Sequence, residues 1–166
     1  MYMWKYRTPE GFADLYMSSD GEYLTGLWFE GSRDVGKHGS CFKETNLPVF
    51  ERTCEWLDSY FGGMDPDFFP EYQIKNLTPF RAEVMGIMKE IPYGKTMTYG
   101  EIAARIAKNR GIRRMSAQAV GQAVGWNPIC ILIPCHRVVG SDGSLTGYGG
   151  GIRNKEALLR LERECQ

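Results

Sequence analysis

No apolar run in this chain approaches the length needed to cross a bilayer. Its opening residues, Met1-Tyr2-Met3-Trp4-Lys5, lack the charged-then-apolar layout of a secretion signal, so a cytoplasmic location is expected. Cysteine is sparse and irregular: five residues, at 41, 54, 130, 135 and 165, with no CxxC spacing. An odd set without paired spacing argues against a disulfide framework and against a zinc ribbon. His38, Cys41 and Cys54 offer three candidate ligands at uneven intervals, short of the usual four, so no metal is expected. Internal repeats and low-complexity tracts are also missing. With 166 residues, 43% of them hydrophobic and 13% aromatic, the chain can hold one ordinary domain or two small ones around a real core.

Net charge is zero, but only in sum. Residues 1–77 carry 7 basic and 13 acidic side chains, whereas residues 78–166 carry 13 basic and 7 acidic. Arg105, Lys108, Arg110, Arg113 and Arg114 fall within ten positions that contain no acid. A polyanion partner for the second half is one reading of that cluster, and a solvated face is the other.

Against this background one stretch carries chemistry: Pro134-Cys135-His136-Arg137-Val138. The apolar run Ile129-Cys130-Ile131-Leu132-Ile133 precedes it, short and β-branched, and reads as a buried strand or tight extended segment ending at the proline. It delivers a cysteine with a histidine directly behind it. Most free cysteines are buried packing. A thiol becomes a nucleophile as thiolate, however, and an adjacent imidazole is a common way to make one near neutral pH.

The two halves differ in pattern, which predicts an α/β (α+β) fold of two parts. In residues 1–77, Gly11 to Leu15 and Tyr23 to Phe29, separated by Asp20-Gly21, suggest a small antiparallel sheet. Val49 to Phe61 has helical apolar spacing, and the Pro- and Asp-rich stretch from Gly62 to about residue 77 reads as a linker. Residues 78–166 read as mainly helical. Thr78-Pro79 starts one helix, and Thr98 with Glu101 forms a capping box for the next. Ser116 opens a third, Ala117 to Trp126, made almost wholly of small residues. The last two, joined through residues 105–115, form a candidate helix-turn-helix with the small-residue helix as reader.

From Phe80 to Glu162 the sequence closely resembles the O6-alkylguanine-DNA alkyltransferases. The matching pieces run in order: Thr78-Pro79-Phe80, Ile91-Pro92-Tyr93-Gly94-Lys95-Thr96, Thr98-Tyr99-Gly100-Glu101-Ile102-Ala103, Ala119-Val120-Gly121, Asn127-Pro128 and Ile133 to Gly140. Leu145-Thr146-Gly147-Tyr148-Gly149-Gly150-Gly151 and Leu158-Leu159-Arg160-Leu161-Glu162 complete the set. The resemblance implies direct-reversal DNA repair by a monomer without cofactor or membrane, acting on double-stranded DNA that carries O6-alkylguanine. The alkyl group would pass irreversibly to Cys135 in a single turnover, with O4-methylthymine a poorer substrate. Localisation would be cytoplasmic, at the nucleoid or, in a eukaryote, in the nucleus.

It also implies roles. Cys135 is the nucleophile, ionised beside an imidazole. His136 draws its proton through a water, oriented by Glu162, in a sulfur version of triad logic. Asn127 ties the reader helix to the active-site segment. Tyr99 donates to guanine N3, Tyr148 walls the base pocket, Gly149 offers its N–H to O6, and the Val138 carbonyl accepts from the exocyclic amine. The loop Gly147 to Gly151 would serve as a lid. A base buried in this way must leave the duplex, here from the minor groove, where only small residues fit. Gln118, Arg113, Arg114, Ala117, Gly121 and Ser141 are the residues expected on DNA. Gln118 stands where the family usually has an arginine finger, and Lys108 to Met115 is longer than the typical turn. The first half offers scaffolding and no residue expected in the chemistry.

Overall fold

The computed structural model describes residues 1–145 and 148–165; Thr146, Gly147 and Gln166 lie outside the described residues, and with them the first position of the expected lid, Gly147. The chain is mixed α+β, as the patterning predicts. Strands β1 (Tyr2–Tyr6), β2 (Leu15–Ser19), β3 (Leu24–Phe29) and β4 (Lys43–Glu44) form one sheet in the order β3-β2-β1-β4. Three features differ from expectation. Tyr2–Tyr6 is a strand, and the second strand begins at Leu15 where the predicted one ends. β4 also adds to β1 in parallel, so the sheet is not purely antiparallel. β1 puts Tyr2, Trp4 and Tyr6 on one face and Met3 and Lys5 on the other, an alternation too short to stand out at the start of the chain.

Helix α1 (Pro48–Phe61) packs against β2. Proline sits at its first position, where its missing N–H costs nothing. Its inward face carries Phe50, Trp56, Leu57 and Tyr60, each 4% exposed or less, and burying each contributes roughly 1.5–3 kcal/mol. The predicted linker is not free. Leu24 donates its N–H to the Glu71 carbonyl and Gln73 donates to the Leu24 carbonyl, both at 2.9 Å. The outer edge of β3 is thereby covered, as an exposed sheet edge ought to be.

Helices α2 (Pro79–Lys89), α3 (Tyr99–Arg110), α4 (Ala117–Trp126) and α5 (Ile152–Glu164), with the short strands β5 (Met97–Thr98) and β6 (Val138–Val139), build the second half. The caps act as read from sequence. Thr78 Oγ1 accepts from Arg81 N–H, Ser116 Oγ from Ala119 N–H, and Thr98 and Glu101 exchange both bonds of a capping box. Each such cap is worth about 1 kcal/mol. α3 ends on Gly111 at φ +66°, a left-handed turn that glycine adopts without strain. The basic cluster is partly neutralised: Arg105 pairs with Glu90 at 2.8 Å and Arg110 with Glu83 at 2.7 Å. Both acids come from α2 or its end, outside the window in which no acid is found.

The expected strand at Ile129–Ile133 does not form. Ile129 makes one parallel bridge to Leu27, and Cys130 to Leu132 turn back on themselves. Asn127 staples the turn: its side-chain N–H donates to the Ile133 carbonyl at 2.9 Å and its Oδ1 accepts from Ile129 N–H at 3.1 Å. Ile131 is driven to φ +68°, a position that costs a β-branched residue about 1–3 kcal/mol. A run buried on every side carries no period, so strand and turn look alike in the sequence.

Candidate active site

Cys135 opens a 3₁₀ turn, Cys135–Arg137, immediately after the stapled segment, and is 7% exposed. His136 and Glu162 behind it have no exposure at all. The Glu162 carboxylate is the hub. Oε2 accepts from His136 Nε2 at 2.5 Å and from the Tyr60 hydroxyl at 2.7 Å. Oε1 accepts from Arg137 Nε at 2.8 Å and from Gly94 N–H at 2.9 Å. Burial alone would push this carboxyl up. The hydrogen bond and charge of His136, the Arg137 guanidinium and the Gly94 N–H outweigh it, and hold Glu162 at about 2.

That ionisation fixes the imidazole. A carboxylate only accepts, so His136 Nε2 must carry its proton. Burial holds the His136 pKa below its ordinary value against the upward pull of Glu162, so the ring is neutral at pH 7. Its lone pair is then on Nδ1, which is buried and has no protein partner among the described residues. The site contains a base with its basic nitrogen unoccupied and its other nitrogen anchored.

Burial works against ionisation of the sulfur. Burial pushes the Cys135 thiol above its ordinary value, a hydrogen bond with the Asn127 side chain pulls it back, Asp34 raises it, and Lys155 and Lys37 lower it. The net direction is upward: desolvation outweighs every compensating group nearby.

Around the sulfur lies a narrow slot lined by Asp34, Tyr99, Val124, Gly125, Asn127, Cys135, Tyr148 and Gly149. Its free volume is about 10 Å³, barely the space in which one water can be held. The slot adjoins an open groove of about 590 Å³ lined by Tyr99, Gly100, Ala117, Gln118, Gly121, Gln122 and Ser141. Tyr99 belongs to both, at the junction. Arg113 and Arg114 line a separate hollow with Lys108 and Ile112 at the α3–α4 turn. The structure therefore gathers Ala117, Gln118, Gly121 and Ser141 on one surface and sets the two arginines beside it. Val138 pairs with Met97 in the β5–β6 ladder, and its carbonyl already accepts a 2.6 Å bond from Lys155 Nζ. One lone pair of that oxygen remains. Tyr148 is buried, with its hydroxyl unpartnered among the described residues.

Four side chains at the site went unread in the sequence. Arg137 lies inside the motif, but its burial and its bond to Glu162 do not show there. Lys155 is a buried amine on α5 that looks like any helix lysine. Tyr60 on α1 and Asp34 come from the half expected to be scaffold alone, which corrects that expectation. For Tyr60 the only available signal is its place on the apolar face of α1.

The family model for the DNA-binding domain of 6-O-methylguanine DNA methyltransferase matches residues 79–164. The chain belongs to the 6-O-methylguanine DNA methyltransferase family. A methylated-DNA–protein-cysteine methyltransferase of Haemophilus influenzae is 39% identical over 164 residues, spanning 98% of this chain and 87% of that protein. A protein of the same name from Mycobacterium bovis is 41% identical over 151 residues, 80% of this chain and 87% of that one. Among solved structures, Mycobacterium tuberculosis OGT in complex with DNA superposes with a TM-score of 0.81 at 34% identity, covering 99% of this chain and 94% of that one. The likeness of this family member to its relatives thus spans both halves, including the sheet that the family model leaves out.

Proposed function

We propose that this protein repairs O6-alkylguanine in duplex DNA, and less readily O4-methylthymine, by moving the alkyl group irreversibly to Cys135. The observation that carries this reading is the pairing of a buried thiol with a neutral imidazole whose Nδ1 is open and whose Nε2 is locked to an ionised carboxylate. The names of the relatives, and the DNA in the complex of the M. tuberculosis protein, support the substrate class.

In the proposed step, His136 Nδ1 takes the Cys135 proton through a water. The sulfur forms a bond to the alkyl carbon as the carbon–O6 bond breaks, and the electron pair stays with guanine. Tyr99 donates its proton to N3 of the departing base, which leaves as neutral guanine; solvent returns Tyr99 and His136 to their starting states. Tyr99 keeps that proton until needed, because burial, and then the nearby sulfur, push its pKa up. Tyr148 walls the base, the Gly149 N–H meets O6, and the second lone pair of the Val138 carbonyl accepts from the exocyclic amine. The thioether is stable and no group here regenerates the thiol, so each molecule acts once.

The base reaches the sulfur by rotating out of the duplex through the minor groove, with α3 and α4 as a helix-turn-helix and α4 as its reader. Ala117, Gly121 and Ser141 lie along the backbone, Gln118 fills the vacated stack without charge, and Arg113 and Arg114 supply the missing cation. The first 77 residues then act as scaffold that also lends Tyr60 and Asp34 to the site, and the rest as the DNA-binding and transfer unit, in a monomer of the cytoplasm. The test is mass spectrometry after incubation with a duplex carrying O6-methylguanine. One added methyl group on the Cys135 peptide is expected; binding without a mass change would reduce the protein to a damage sensor.

A further inference from the structure

The base slot has an occupant from the same chain. The 3₁₀ turn Arg33–Lys37, between β3 and β4, carries Asp34 into the slot lined by Cys135, Tyr148 and Gly149. The Asp34 side chain is only 10% exposed. Its carboxylate lies so close over Gly149 that a β-carbon at that position would overlap it. Gly149 is also the residue whose N–H is assigned to guanine O6. A carboxylate and O6 are both acceptors, so they repel when brought to the same place.

Lys37 holds the carboxylate in place. Its Nζ lies 2.6 Å from Asp34 Oδ1 and donates at 2.6 Å to the carbonyl of Gly125, in the last turn of α4. A cation is favoured at a helix C-terminus, where the carbonyls are unpaired. The turn is anchored behind by His38, which stacks on Trp28 with ring centroids 4.0 Å apart. One ammonium thus joins the slot's occupant to the helix proposed to meet DNA.

We propose that Asp34 is a positioning residue for alkyl transfer: in the protein without DNA its carboxylate, clamped by Lys37, fills the base slot beside Cys135, and it withdraws as the base enters. This rests on the function proposed above. The groups facing the sulfur are Asp34 and Lys37 from this turn, Lys155 from α5, Asn127 at the end of α4, His136 behind it, Cys130 from the preceding segment, and Tyr99 and Tyr148 as walls. Asp34 is the sole carboxylate among them, and Lys37 and Lys155 oppose it. When the carboxylate leaves, Lys155 remains, because its own partner is the Val138 carbonyl.

Two substrates separate this role from an ordinary contact. Free O6-benzylguanine must enter the slot without help from DNA, whereas a duplex carrying O6-methylguanine can move α4 and its clamp. Asp34→Ala empties the slot, and Asp34→Asn keeps the shape and removes the charge. Asp34→Ala should transfer from the free base about fivefold faster or more, and the gain on the duplex should be smaller than the gain on the free base. Asp34→Asn should shift the pH profile of Cys135 alkylation by iodoacetamide, read by mass spectrometry, to lower pH. If both variants react with the free base no faster than the unaltered protein, or lose rate on both substrates alike, Asp34 is a substrate contact or plain packing and the proposal is overturned. If the unaltered protein transfers no alkyl group at all, the proposed function fails, and the iodoacetamide profile still decides what Asp34 does to the thiol.

Discussion

The two sides of the 3₁₀ turn Cys135–Arg137 are built on opposite principles. Behind it, Glu162 has its carboxylate satisfied by four donors drawn from α1, the turn after α2, and the 3₁₀ turn itself. In front of it, the Tyr148 hydroxyl is buried without a partner among the described residues, and so is the Nδ1 of His136. Buried polar groups are normally paired, because leaving one unpaired costs about 1–3 kcal/mol. The satisfied side sets geometry and holds the base in one tautomer. The unsatisfied side is less stable than it could be, and that unmet bonding capacity is what a ligand can use.

The comparison breaks if stability and activity fail to separate across the turn. Cys135→Ala lies on the front side, and it should abolish transfer while leaving DNA binding and melting temperature nearly intact; residual transfer would refute the nucleophile. Glu162→Gln lies behind. It leaves Arg137 buried without a counter-charge and should destabilise the fold by about 3–5 kcal/mol, read from denaturant unfolding, besides slowing transfer. The pH sign follows from the same carboxyl. Its folded pKa of about 2 lies below the ordinary 4.5, so its contribution is complete above 4.5 and is lost as pH falls toward 2, about 3 kcal/mol in all. An unfolding free energy flat from pH 5 to 2 would contradict the hub.

Smaller changes sharpen the contrast. The acid limb of the transfer rate should lie below pH 6.5, since burial lowers the His136 pKa from that value and protonation there removes the Nδ1 lone pair. His136→Gln should abolish that limb and slow transfer by about 10²–10⁴-fold. Tyr60→Phe removes one of the four donors and should cost about 1–1.5 kcal/mol of stability, measured by calorimetry. Gln118→Ala, Arg113→Ala and Arg114→Ala should each weaken flipping, followed by fluorescence of a base analogue, without altering iodoacetamide reactivity of Cys135. Indifference to all three would remove the groove from the proposal.

How far the sequence is legible follows the same division. The caps of α2, α3 and α4 are local and use short-range chemistry, so Thr78, Thr98 with Glu101, and Ser116 announce their helices. Cys135, His136, Asn127 and Glu162 come from a resemblance specific in order and spacing. What stays hidden is assembled across the chain. Tyr60 reaches Glu162 over a separation of 102 residues, and no local pattern marks a helix tyrosine for that contact. Asp34 sits in a polar stretch that reads as an ordinary surface loop. The cations at 105 and 110 look free because Glu90 and Glu83, which pair with them, are contributed by the preceding helix. The segment at Ile129–Ile133 is misread for the reverse reason: with every side chain buried, its apolarity carries no direction.

The outer edge of β3 gives its open backbone groups to segments far along the chain: Leu24 to Glu71 and Gln73, Leu27 to Pro128 and Cys130. Two stretches are thereby sewn to one strand, and the second of them leads straight into the nucleophile's turn. Heat should then take sheet and catalytic turn apart in one cooperative step, with no stage at which the sheet has melted and the sulfur still sits in place.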